Sequence, residues 1–189
     1  MAEPVVLRRY VLPSIKGEGW AVFVIGSDGY FSGVTDYGNV AYWWAHHGCK
    51  DFREFLLTAA VEWDYFIRKL FPNTWEVYDG DATLKEVKAF ILKFRREKRI
   101  THNEAREAWY ELMEEFEGLE HEWLFIHWIM NANSVVRRFD DLHELRCNRP
   151  DCHAKAFVTQ AMARLAEVLR KELEEERAQQ ATGDARVSD

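Results

Sequence analysis

The hydrophobic period of this chain changes once, near residue 50, and that change limits the fold more than any other feature. Before it, Val5-Val6-Leu7 through Val11-Leu12 is apolar and β-branched until Pro13, and Lys16-Gly17-Glu18-Gly19 forms a turn cluster. Trp20-Ala21-Val22-Phe23-Val24-Ile25 is nearly continuous in apolar character, the pattern of a central, covered strand. Asp28-Gly29 separates it from Tyr30–Thr35, a strong hairpin signal because glycine accepts the positive φ of a tight turn. Asp36-Tyr37-Gly38-Asn39 is a further turn before Val40–Trp44. An antiparallel meander of three or four strands is expected over about 5–45.

From Asp51 the apolar residues recur at helical spacing. Asp51 caps a helix carrying Phe52, Phe55, Leu56 and Ala59, and a second stripe of Tyr65, Phe66 and Leu70 runs to Pro72. Trp75–Tyr78 reads as a loop or short strand. Thr83-Leu84-Lys85-Glu86 and Thr101-His102-Asn103-Glu104 are capping boxes, in which hydroxyl and carboxylate satisfy orphan N–H groups at a helix start. Leu119–Met130 is apolar over so wide an arc that burial on most sides is expected. Ala154 to about Arg177 forms the last helix, with Glu172–Arg177 solvated and 178–189 a frayed tail. The expected fold is one α+β domain over 1–189: a meander over about 5–45, packed by five to seven helices over about 51–177. A chain of 189 residues can bury a real core.

Charge and cysteine content narrow the function classes. The formal net charge is −7, from 25 Lys+Arg against 32 Asp+Glu, and the excess acid lies beyond residue 50. Phosphate backbones attract basic surfaces, so direct nucleic-acid binding is disfavoured. The basic cluster Lys93-Phe94-Arg95-Arg96-Glu97-Lys98-Arg99 fits a helix C-terminus. No run approaches the roughly 18 apolar residues of a membrane span. Three cysteines argue against a disulfide scaffold and for a reducing compartment. The start, Met1-Ala2-Glu3-Pro4, lacks a secretory pattern, so a cytosolic location is expected.

Catalytic motifs are sparse. Cys147, Cys152 and His153, together with His46, His47 and Cys49, supply thiolates and imidazoles that would hold tetrahedral zinc if the two segments met in space. The spacing is not that of a tight knuckle, and zinc stands as the alternative rather than the expectation. His121-Glu122 lacks the second histidine of a zincin helix, Phe125 standing in its place. Asp79-Gly80-Asp81 lacks the closing glutamate of a calcium loop. Neither a nucleophile elbow nor a phosphate loop occurs, and Asp140-Asp141 are merely adjacent. No catalytic residue is assigned.

Aromatic content is more informative: 8 Trp, 7 Tyr and 12 Phe. Large rings dominate interface hot spots because they bury much area at low entropic cost. Tyr30, Tyr37, Trp43 and Trp44 fall on the meander's hairpins. Successive strand residues point to opposite faces, so Tyr42-Trp43-Trp44 must put aromatic rings on both sides of the sheet. Glu114, Glu115, Glu117, Glu120 and Glu122 form an acidic stretch without an intervening basic residue, suited to a basic partner.

The string Gly19-Trp20-Ala21-Val22-Phe23-Val24-Ile25-Gly26-Ser27-Asp28-Gly29-Tyr30-Phe31-Ser32, with Asp36-Tyr37-Gly38-Asn39 and Asp51-Phe52-Arg53, resembles a group of short proteins encoded by bacteriophages and prophages. That resemblance implies an accessory protein working in bacterial cytoplasm, of a kind that often blocks host machinery, including CRISPR-type defence effectors. It carries no catalytic residue. The expected function is non-enzymatic binding of a host protein, one that itself binds nucleic acid being a candidate, through the aromatic residues and acidic stretch named above. Self-association is compatible with this. A zinc protein or an enzyme built on the Cys/His segments is the alternative.

Overall fold

The computed structural model describes residues 4–59, 61–115, 121–131 and 142–187, with 115, 131, 143 and 183–187 described by backbone alone. The fold is α+β, and the chain forms two compact units, one from residues 1–75 and 150–189, the other from 76–149. No helix among the described residues is long and apolar enough to cross a membrane.

The first unit is built on the expected meander, with four strands in the order β1 (Leu7–Leu12), β2 (Ala21–Gly26), β3 (Tyr30–Thr35) and β4 (Gly38–Trp43), all antiparallel. Alternation sorts their residues. Ala21, Phe23, Ile25, Phe31 and Val40 face inward and are buried. Helices α1 (Phe52–Leu56) and α2 (Trp63–Leu70) contribute Phe52, Leu56, Phe66 and Ile67 to the same core. Asp51 caps α1 as expected, accepting the Arg53 N–H.

In the second unit, α3 (Gly80–Arg96), α4 (His102–Glu115) and α5 (Glu122–Asn131) enclose Val87, Ile91, Phe94, Ala108, Leu112, Phe125 and Trp128. A short 3-10 turn (Leu142–Leu145) adds Leu142. Strands β5 (Glu76–Tyr78) and β6 (Asn148–Pro150) pair with each other. The capping box at Thr101 and Glu104 forms in both directions, whereas α3 starts a turn before Thr83 because Asp79 caps it. Thr83 is buried instead, donating to the Asp79 carbonyl and accepting from the Cys147 N–H.

The C-terminal segment, which returns to the first unit, is one unbroken helical run: α6 (Cys152–Ala156), a π-helical turn (Phe157–Met162) and α7 (Ala163–Val187). The wider π turn lets Phe157, Val158, Ala161 and Met162 all face the core. Helix continues ten residues past the expected end at Arg177, through Gly183; Ala178-Gln179-Gln180-Ala181 contains no breaker, and the missing apolar stripe only means that this turn buries nothing. Close packing reaches the sheet at Gly33, where a Cβ would come within 2.8 Å of both Phe23 and Phe157.

Helix α3 ends in a Schellman-type turn, with the Arg99 N–H on the Phe94 carbonyl at 3.0 Å. Lys98 holds the left-handed position at φ 59°, which a side chain populates only at a cost. Lys98→Gly is expected to raise stability by about 0.5–1 kcal/mol, visible as a rise of roughly 2–3 °C in melting temperature.

Candidate functional site

Two surfaces and one polar cluster stand out once the core is set aside. The first surface is the outer face of the meander. Register places Val11, Val22, Val34 and Asn39 in one cross-strand row and Arg9, Val24, Ser32 and Ala41 in the next. Tyr30 and Trp43 form a pair at the sheet's end. Leu7, Val11 and Trp43 are each more than half exposed, at 62%, 57% and 59%. A shallow groove of about 760 Å³ runs over this face, lined by Val5, Leu7, Val24, Asp28, Tyr30, Ser32 and Trp43. Trp43 is held in place at its polar end, its indole N–H donating to the Asp28 carbonyl at 2.8 Å.

Trp44, expected among the surface rings, is a correction. It is 5% exposed and lies among Phe31, Phe52, Phe55 and Phe66, its indole N–H donating to the Tyr65 hydroxyl at 3.1 Å. Alternation sends Trp43 out and Trp44 in. Tyr37 is half-buried at the β3–β4 turn, and its hydroxyl donates to Gln160 on the π turn at 2.8 Å. Arg164, one turn further, donates to the Gly19 and Pro13 carbonyls and so fastens the β1–β2 loop.

The second surface belongs to the helical unit. Helix α5 departs from the expected burial on most sides. Phe125 and Trp128 enter the core, while Trp123, Ile126 and Met130 point outward with exposures of 64%, 44% and 70%. Their i, i+3, i+7 spacing is a stripe of its own, hidden in the sequence because the opposite arc is equally apolar. Helix α4 adds exposed Tyr110 and Met113 and carries Glu104, Glu107, Glu111, Glu114 and Glu115 against Arg106. Of the acidic stretch, Glu114 is exposed, and Glu122 pairs with Arg146 at 2.5 Å. Glu117, Glu120 and the side chain of Glu115 lie outside the described residues.

The polar cluster is not legible in the sequence. Arg53 is 3% exposed and binds three carboxylates: Asp51 at 2.6 Å, Glu172 at 2.8 Å and Glu176 at 2.6 Å. Tyr10 donates to Glu172 at 2.7 Å, and Arg8 approaches the same carboxylate. Glu172 and Glu176, expected to be solvated, are thus half-buried on α7. Hydrogen bonds from Arg53 hold the Asp51 and Glu176 carboxyls below their usual range, while burial, then the Glu172 contact, pushes the Tyr10 hydroxyl upward. These groups satisfy one another, which makes the cluster a pin between α1, β1 and α7 rather than a reaction centre.

The Cys/His residues do not assemble into a ligand set. Among the described residues, no group of three or more His, Cys, Asp or Glu is placed to hold a metal ion. His47 packs on Phe52 and Phe55, and its Nδ1 accepts from the Cys49 N–H at 3.4 Å. Cys147 is half-buried, its thiol raised by burial, whereas Cys152 and His153 are exposed at the start of α6.

A family model described as a phage family, Phage_phiTE_072, matches residues 5–171. The chain belongs to that phage family. No curated protein and no solved structure matches it. The match runs through the meander, both surfaces and Asp51 and Arg53 of the polar cluster, ending just before Glu172, so it covers most of the helical part of this phage protein as well as the N-terminal string.

Proposed function

We propose that this phage accessory protein acts by binding a basic host protein, not by catalysing a reaction. The observation that carries this reading is the α5 stripe: Trp123, Ile126 and Met130 stand outward in the same unit as an α4 that bears five glutamates against one arginine. An exposed aromatic and aliphatic anchor set with acidic neighbours fits the general anatomy of an interface, an apolar centre with a charged rim. The acidic rim selects a basic partner and speeds its encounter. Host proteins that grip nucleic acid carry such basic surfaces, and a defence effector of the CRISPR kind is the class this fits. Occupying that surface would compete with the effector's own nucleic acid.

The test is a tagged pull-down from nuclease-treated bacterial lysate, comparing the native chain with Glu107→Lys/Glu114→Lys and with Trp123→Ala. One stoichiometric basic partner is expected, with capture reduced at least about tenfold in both variants. Equal capture by all three chains, or none by the native chain from a lysate containing the defence proteins, would count against the proposal.

A further inference from the structure

The two exposed surfaces differ in charge, and that difference assigns them different partners. Helix α4 is acidic, whereas the outer face of the meander is almost uncharged. Among the outward positions of its four strands Arg9 is the charged residue, and Asp28 stands at the rim of the groove on the β2–β3 turn. Neither takes part in a salt bridge among the described residues. Nucleic acid or an anionic membrane surface would call for several cations here. A face with one cation, one anion and otherwise uncharged, mostly apolar side chains is complementary to itself.

We infer that the outer face of the meander pairs with the same face of a second copy of this chain. In an isologous pair residue i meets j while j meets i. Arg9 is in register with Val24, and Asp28 lies four residues further along the chain, past the end of β2. A two-fold axis lying in the plane of the interface, perpendicular to the line from Arg9 to Asp28 and crossing it midway, brings each Arg9 onto the Asp28 of the other copy. Leu7, Tyr30 and Trp43 form the row between these two charged positions along the strands, and they line the groove. Each Trp43 indole, already fixed by its hydrogen bond to the Asp28 carbonyl, is then buried in the contact between the two copies.

The area fits a dimer of moderate strength. Four strands about 4.8 Å apart and six residues long present roughly 400 Å² in projection, and side-chain relief brings the total buried by two copies to about 1,000 Å². That is at the lower bound for specific association, and micromolar affinity is the corresponding expectation.

Sedimentation velocity on the full chain, from about 1 to about 100 µM, tests the inference. The native chain is expected to pass from monomer to dimer within that range, and Trp43→Asp to remain monomeric with unchanged circular dichroism. Arg9→Asp and Asp28→Arg are each expected to weaken dimerisation at least about tenfold. Mixed in equal amounts, they restore it. The Arg9→Asp copy carries acid at both positions and the Asp28→Arg copy carries base at both, so each contact between them joins opposite charges. A native chain monomeric at about 100 µM, a dimer that survives Trp43→Asp, or two charge variants that stay monomeric when mixed would each overturn it. The host-protein reading stands or falls separately, since Glu107→Lys/Glu114→Lys leaves this face untouched.

Discussion

Replacing Arg53 with methionine is expected to cost about 3–5 kcal/mol, because it leaves three carboxylates facing one another around a desolvated position. Arg53 is only 3% exposed, and every one of its partners is placed to meet a guanidinium. In a chain of this size the melting temperature should fall by roughly 10 °C or more. Arg53→Met/Asp51→Asn/Glu176→Gln should recover part of the loss, since it leaves Glu172, which Arg8 also approaches, as the one carboxylate of the three instead of stranding all of them. A triple variant no more stable than Arg53→Met would assign the loss to packing of the long side chain. The same cluster sets an acid limit. Because the folded-state values of Asp51 and Glu176 lie below their ordinary ones, their contribution is complete above the usual carboxylate range. It is lost as pH falls through the lowered values, and both carboxyls are partly exposed, which keeps the effect modest. Acid melting curves of the native chain should therefore steepen below about pH 4, and those of Arg53→Met should steepen less.

Gly29→Ala is expected to be nearly as damaging, by about 3–4 kcal/mol, through a different mechanism. Gly29 sits at φ +91° in the β2–β3 turn, and a Cβ there would lie 2.2 Å from the Trp44 carbonyl oxygen. The Trp44 N–H donates to the Gly29 carbonyl at 2.9 Å, so the collision falls on the residue that carries the central indole of the aromatic core. Gly17→Ala is the matched control. Its φ is +92°, yet a Cβ there meets nothing within 4 Å, and it should cost only about 1–2 kcal/mol. The difference between the two variants in urea unfolding measures the collision itself. Equal losses would mean that backbone strain accounts for both.

What can be read in advance follows from what each signal depends on. Local chemistry is legible: the Asp28-Gly29 hairpin, the Asp51 cap and the Thr101–Glu104 box each depend on neighbours a few residues away, and each forms. The split of Trp43 from Trp44 is half legible. Alternation requires opposite faces, but which face is covered depends on helices far along the chain. Arg53 is illegible for the same reason, since its carboxylates at Glu172 and Glu176 come from the other end of the sequence. The α5 stripe escapes notice because both arcs of that helix are apolar, so periodicity does not say which one meets the core.

The division of the chain at residues 75 and 150 has a consequence for synthesis. The meander leaves the ribosome first, but Phe157, which packs on Phe23, and Glu172, which meets Arg53, belong to the segment that leaves last. Between them the whole helical unit must be translated, roughly 4–15 s at ordinary bacterial speeds. Throughout that interval only α1 and α2 are at hand to cover the inner face of the sheet, and the part of it that Phe157 fills stays open to wrong pairing. Interruption of translation between residues 75 and 150 would release a fragment whose sheet core lacks Phe157 and whose Arg53 lacks Glu172 and Glu176, a natural substrate for proteolytic clearance.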